Sequence, residues 1–138
     1  MKNIFFNLHK KAKILIVDDE EDVCFYLRSI LERTGKFEAY ATTSPMESIA
    51  LAKRWHPDLI LLDIMMPEMD GTEVAAKLYE DPDTKDILIV FVSVLVKPQD
   101  LKENEGKIGG HPFICKPIEK EDLIRRLEEL LQAAHTTG

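Results

Sequence analysis

Four short apolar runs in this chain each end at a polar or charged residue. Residues 14–17 precede Asp18 and Asp19, residues 59–62 precede Asp63, residues 89–92 precede Ser93, and residues 113–115 precede Lys116. Parallel strands of an open sheet point the same way, so their carboxyl ends share one edge, where such sheets bind ligands. The pattern predicts three carboxylates, a hydroxyl and an ammonium at one edge, a set suited to Mg²⁺ and a phosphoryl group.

The composition favours a soluble globular protein with one domain. The chain has 138 residues, of which 45% are hydrophobic and 31% are charged, and that length suits a single domain. No apolar run approaches the ~20 residues of a membrane span, and no secretion signal is evident, so we expect a cytoplasmic protein without a membrane partner. The net charge of −7 argues against nucleic acid as a partner, because phosphate backbones require clustered Lys and Arg.

Strand and helix signals alternate along the chain. The predicted strands cover residues 13–17, 37–41, 59–62, 87–92 and 113–115, and the predicted helices cover residues 20–33, 45–55, 72–80, 97–107 and 119–134. The third and fourth strands are nearly all apolar, which indicates helices on both faces. Ser44 is expected to cap the second helix, with Glu47 reaching back to it in a capping box. We predict an α/β three-layer sandwich in which five helices cover a doubly wound, five-stranded parallel sheet.

The three aspartates admit an ordinary and a functional interpretation. Asp18 and Asp19 could cap the first helix, whose dipole favours negative charge, and Asp63 could begin a turn. If they share one edge, two carboxylates ~4 Å apart repel each other by about 4 kcal/mol at an effective dielectric constant near 20. A divalent cation removes that cost, and Asp63 could then attack phosphorus, as carboxylates do in aspartyl-phosphate chemistry.

Three further residues have the same two interpretations. Lys116 could be a solvated loop lysine, but beside an acidic cluster its ammonium would pair with Asp63 or with phosphoryl oxygens. Ser93 could be a plain loop serine, or it could donate a hydrogen bond to a phosphoryl oxygen. Phe113 could be a core residue, and it is also near enough in sequence to Lys116 to respond to the site.

In the order and spacing of these motifs, the chain resembles the receiver domain of two-component response regulators. The motifs are ILIVDDE at 14–20, LLDIMMP at 61–67 with MDG at 69–71, VS at 92–93 and KP at 116–117. The resemblance implies a flavodoxin-like sheet with strand order 2-1-3-4-5. The chain would divide into an N-terminal extension at residues 1–12, expected to be flexible, a receiver domain at residues 13–134, and a tail at residues 135–138.

The resemblance also implies a phosphoacceptor and a metal site. Asp63 would accept a phosphoryl group from a phosphohistidine on a sensor histidine kinase or a phosphotransfer protein. Asp18, Asp19 and the backbone carbonyl of Met65 would join Asp63 in holding Mg²⁺ or Mn²⁺. Such a protein is a signal-transduction module rather than an enzyme, since it catalyses only its own phosphorylation and dephosphorylation.

A switch follows from the same resemblance. Ser93 would be the switch hydroxyl, Phe113 the switch aromatic residue, and Lys116 the phosphate-binding lysine. The peptide bond between Lys116 and Pro117 is cis in such domains, and cis bonds are almost confined to proline. The surface that changes, and that could also form a dimer, would consist of the predicted fourth helix, fifth strand and fifth helix, and would bind a downstream protein that the sequence does not identify.

Some residues depart from the usual pattern of such domains or lack a role in it. Val94 follows Ser93 where a smaller residue is usual, and apolar Met65 and Leu95 stand at positions that are often polar. We therefore predict a dry site and a slow loss of phosphate.

Cys24 and Cys115 lack metal or redox spacing, so both are interpreted as small core residues.

Competing functions remain open at this point. The chain could be a pseudo-receiver that binds partners without phosphorylation, or a small phosphatase with an Asp nucleophile, although Met65 stands where such enzymes often carry a second Asp. A bound flavin is disfavoured, because no Gly-, Ser- or Thr-rich loop follows the first strand. The chain could be a stand-alone receiver or the receiver of a longer regulator.

Overall fold

The computed structural model describes residues 10–94 and 107–137. Its strands are β1 Ala12–Val17, β2 Phe37–Thr42, β3 Leu59–Asp63, β4 Leu88–Ser93, β5 Lys107–Ile108 and β6 His111–Cys115. Its helices are α1 Glu21–Arg33, α2 Pro45–Trp55, α3 Gly71–Glu80 and α4 Lys120–Thr137. Most of the predicted N-terminal extension and all but the last residue of the predicted helix at 97–107 lie outside the described residues.

The sheet has the order β2-β1-β3-β4-β6-β5. The first five strands of this order pair in parallel, which confirms the predicted doubly wound sheet with β2 at its edge. The prediction of five strands was incomplete, because β5 adds a short antiparallel pair with β6. Gly109 and Gly110, with φ angles of 56° and 85°, form the turn between them, and two-residue hairpin loops favour glycine because they need positive φ.

The helices cover both faces of the sheet. Alternate side chains of a strand point to opposite faces. In β1, Ile14 and Ile16 therefore pack in one core with Leu27 of α1 and Leu123 of α4. The other face carries a second core that includes residues of β1, α2 and α3: Leu15, Val17, Leu51, Val74 and Leu78. Among the described helices, none combines the length and apolar character needed to cross a membrane.

The start of α2 is fixed to the end of β2 by side-chain hydrogen bonds. The Ser44 hydroxyl accepts from the Glu47 amide at 3.1 Å, as predicted for a cap. The predicted return bond was wrong, since the Glu47 carboxylate accepts from the Thr42 hydroxyl at 2.8 Å instead. The Ser44 amide donates to that same hydroxyl at 3.1 Å. Thr42 therefore completes the cap and fixes α2 at the carboxyl edge of the sheet.

The two cysteines lie in different environments. Cys24 is buried, as predicted, and its thiol donates to the backbone carbonyl of Asp18 at 3.3 Å. Burial, followed by the charge of Asp18, raises the pKa of this thiol to about 11. The prediction for Cys115 was wrong, because its side chain is exposed. Cys115 is the last residue of β6, so its side chain lies at the rim of the sheet rather than in the core.

Candidate functional site

The carboxyl edge of the sheet brings the predicted residues together. Asp18 directly follows β1, Asp63 is the last residue of β3, Ser93 is the last residue of β4, and Lys116 directly follows β6. The backbone continues across this edge, since the Lys116 amide donates to the Ser93 carbonyl at 2.9 Å. The ends of the apolar strands therefore bring these groups together at the carboxyl edge of the sheet.

Lys116 lies between two buried carboxylates. Its Nζ is 2.9 Å from Oδ2 of Asp18 and 3.7 Å from Oδ1 of Asp63. Asp18 and Asp63 are only 2% and 3% exposed. Burial alone would lower the pKa of Lys116, but the hydrogen bond to Asp18 and the charges of both carboxylates outweigh it and raise that pKa. The ammonium therefore stays charged and holds the two acids together.

Asp63 is a destabilised carboxylate in the metal-free protein. Burial, and then the charge of Asp18, raise its pKa to about 6, and the Asp19 carboxyl within hydrogen-bond reach raises it as well. The charge of Lys116 and a hydrogen bond from the Met65 backbone N–H act in the opposite direction. The net result is a buried acid whose ionised form needs more positive charge than Lys116 supplies.

The donor set fits a hard divalent cation. Asp18, Asp19 and Glu20 each place a carboxylate oxygen within 4.8 Å of the others, and Asp19 also reaches Asp63. Carboxylate oxygens are the ligands that Mg²⁺ and Mn²⁺ prefer. The Glu20 amide donates to Oδ1 of Asp18 at 2.9 Å. The sequence interpretation gave Glu20 no role, although its position directly after the aspartate pair was a signal.

The predicted switch residues are both buried. Ser93 is 1% exposed. Phe113 is 5% exposed, lies in register with Phe91 of β4, and belongs to the core on the face of the sheet that α2 and α3 cover. The Phe113 ring therefore lies inside the core in this structure.

The mouth of the site carries apolar side chains. Met65 and Val94 are 55% and 62% exposed. The described contact of Met65 with Asp63 is made by its backbone N–H, and the role of its carbonyl stays a prediction. Leu95 lies outside the described residues. The peptide bond between Lys116 and Pro117 is cis.

The chain is similar to known receivers in both sequence and structure. Residues 14–128 match the family described as the response regulator receiver domain. The transcriptional regulatory protein SrrA of Staphylococcus aureus is 35% identical over 126 residues, which are 91% of this chain and 50% of that protein. The chain thus spans about half the length of the curated relatives it matches.

Two solved structures extend the comparison. A receiver domain of a signal transduction histidine kinase from Syntrophus aciditrophicus superposes with a TM-score of 0.73 at 31% identity, covering 88% of this chain and 91% of that one. A CheY-like receiver from Methanospirillum hungatei gives a TM-score of 0.79 at 25% identity, covering 94% of this chain and all of that one.

Fold and site together define a class: doubly wound α/β domains with an acid cluster and a lysine at the carboxyl edge of the sheet. The chain belongs to the response regulator receiver domain family of two-component signalling.

Proposed function

We propose that Asp63 accepts a phosphoryl group from a sensor histidine kinase or a phosphotransfer protein in the cytoplasm, and that this modification changes which downstream protein the chain binds. The observation that carries the proposal is the placement of the Lys116 ammonium 2.9 Å from Asp18 and 3.7 Å from Asp63 at the carboxyl edge of the sheet. A buried cluster of charges contributes little to the stability of the fold, because the cost of removing the charges from water offsets their attraction. Its carboxylates are available to bind a cation, and its ammonium is available to bind phosphoryl oxygens.

The transfer would use the groups around Asp63 in defined roles. One carboxylate oxygen of Asp63 forms the new O–P bond while the N–P bond of the phosphohistidine breaks and its electron pair stays on the imidazole nitrogen. The Met65 N–H holds the carboxylate, and Lys116 is placed to donate to a phosphoryl oxygen. Mg²⁺ or Mn²⁺, held by Asp18, Asp19, Asp63 and the Met65 carbonyl, would neutralise the charge that gathers in the transition state.

Phosphorylation would act on a population of conformations. It adds roughly 1.5 to 2 negative charges and three acceptor oxygens, to which the Ser93 hydroxyl can donate. Because the Phe113 ring is already buried in this structure, the modification would raise the population of this packed arrangement rather than create it. The size of that shift is limited by the difference in contact energy between the two states.

Two surfaces near the site suit protein partners. On α1, beside the acid cluster, Phe25 and Tyr26 are 75% and 47% exposed, and the Tyr26 hydroxyl donates to the Ile118 carbonyl at 3.3 Å. We assign the phosphodonor to this surface.

A groove of about 580 Å³ lies between β6, the loop after it and α4. This groove would bind the downstream partner or a second copy of the chain.

The proposal is tested by incubating the protein with Mg²⁺ and a small acyl phosphate and recording its intact mass. We expect the wild-type protein to gain one phosphoryl group, and Asp63→Asn or excess chelator to reduce this gain at least 100-fold. A gain that persists in Asp63→Asn would contradict the proposal. A wild-type protein that takes no label from acyl phosphates or a panel of kinases would be a pseudo-receiver, and turnover of a phosphomonoester would indicate a phosphatase.

The apolar mouth of the site predicts a long-lived phosphoryl group. Replacing the exposed Met65 by Asn should shorten the half-life of the labelled protein about 3- to 10-fold, because a polar side chain can orient the attacking water. Val94→Ala should act in the same direction by widening access. Met65→Leu, which keeps the site apolar, is the matched control. Equal half-lives for all four proteins in a time course of label loss would refute the explanation.

A further inference from the structure

The first residue of α3 lies directly against the phosphoacceptor strand. A Cβ atom added to Gly71 would lie 3.0 Å from the carbonyl carbon of Asp63 and 3.0 Å from Cα of Ile64, and closer still to the carbonyl oxygen of Asp63. Non-bonded carbon atoms prefer about 3.5–4.0 Å. The neighbouring atoms are all backbone, so a side chain at residue 71 could be accommodated only by moving the Asp63–Ile64 peptide or the helix.

Helix formation itself does not require a glycine at this position. The φ angle of Gly71 lies outside the left-handed region, unlike those of Gly35, Gly109 and Gly110. Asp70 already caps α3 through a hydrogen bond from the Glu73 amide at 3.0 Å, and glycine is a poor helix former. The requirement at residue 71 is therefore the close approach to Asp63 and not a turn.

The Asp63–Ile64 segment is held from two sides. The Ile64 amide donates to the Val92 carbonyl of β4 at 3.1 Å, and the Ile64 carbonyl accepts from the Gly71 amide at 2.9 Å. The Asp63 carboxylate extends from the same peptide toward Lys116. A shift of the α3 start would thus be transmitted to the carboxylate through a rigid, hydrogen-bonded backbone.

We propose that Gly71 is a positioning residue for phosphoryl transfer. The absence of its side chain lets the start of α3 rest on the Asp63–Ile64 peptide, which fixes the carboxylate against Lys116 for attack on phosphorus. The inference rests on the proposed phosphoacceptor role of Asp63. A displacement of about 1 Å at a reacting group can reduce a rate about 100-fold, so the contact has a kinetic consequence.

The test compares Gly71→Ala with Asp70→Ala in the full chain. Asp70→Ala removes the cap of the same helix without touching Asp63, and so controls for loss of helix stability. Thermal unfolding is measured first, and labelling by a small acyl phosphate with saturating Mg²⁺ is then followed at a temperature where both variants are folded. We expect Gly71→Ala to lower the limiting labelling rate at least 10-fold, with little change in the phosphodonor concentration that gives half that rate, while Asp70→Ala stays within 3-fold of wild type.

Each of the other possible results either supports or overturns the positioning role of Gly71. A folded Gly71→Ala that labels within 3-fold of wild type, or equal slowing of both variants, overturns the proposal. If Gly71→Ala does not fold, amide exchange in the wild-type protein decides: at least 100-fold protection of the Gly71 amide supports the contact with Ile64, and rapid exchange refutes it. A wild-type protein that takes no label from a small acyl phosphate or from a panel of kinases refutes the phosphoacceptor role and, with it, this inference.

Discussion

Asp63→Asn is expected to raise the free energy of unfolding of the metal-free protein by about 3 kcal/mol at pH 7. Burial and the neighbouring charge of Asp18 raise the pKa of Asp63 from an ordinary 3.8 to about 6, and each pKa unit corresponds to about 1.4 kcal/mol. Asparagine keeps the shape of the side chain and removes the charge. Urea unfolding in the presence of a chelator measures the difference.

The pH dependence of this gain has a definite sign. A carboxyl whose pKa is higher in the folded protein costs nothing below its unfolded pKa and costs the full amount above its folded pKa. The advantage of Asp63→Asn over wild type should therefore be small near pH 4 and complete above about pH 6, the pKa of Asp63 in the folded protein. The exposed Asp86 offers a control, since Asp86→Asn should change stability by less than about 0.5 kcal/mol. A melting temperature of Asp63→Asn at or below that of wild type would refute a crowded acid cluster.

The parallel sheet was predictable because its strands are short, nearly all apolar runs separated by helical periodicity. Buried runs such as β3, Leu59–Asp63, are shorter than a typical helix, and covered parallel strands need apolar residues on both faces. The β5–β6 hairpin was missed because two residues give no periodicity. Gly109 and Gly110 form its turn through their positive φ angles.

The site residues that lie at the ends of strands were predictable from the sequence. The contacts that depend on how helices pack against strands were not. Lys116 and Asp63 follow apolar runs, so the shared edge of the sheet brings them together. The bond from Thr42 to Glu47 and the contact of Gly71 with Asp63 depend on how helices meet strands, which no local pattern reports. The sequence also does not show whether the Phe113 ring lies inside the core, as it does here, because the same residues allow two packings.

Lys116→Met is expected to lower the free energy of unfolding by about 3 kcal/mol at pH 7. The substitution leaves Asp18 and Asp63 with the ammonium gone from 2.9 Å and 3.7 Å, and a buried ion pair that loses one partner typically costs about 3–5 kcal/mol. Since the Lys116 charge lowers the pKa of Asp63, its removal should raise that pKa further. The difference in the free energy of unfolding between wild type and Lys116→Met, measured by urea unfolding in the presence of a chelator, should therefore become smaller as the pH falls from 7 to 5.

Two further variants separate a stranded charge from lost packing. Adding Asp18→Asn to Lys116→Met should recover most of the deficit, because neighbouring sites that share a charge are strongly coupled in double-mutant cycles. Lys36→Met removes an exposed ion pair with Glu128, whose atoms lie 2.8 Å apart, and should cost less than about 1 kcal/mol. If Lys116→Met costs no more than Lys36→Met, then the buried carboxylates do not depend on the ammonium, and the electrostatic account of this site is wrong.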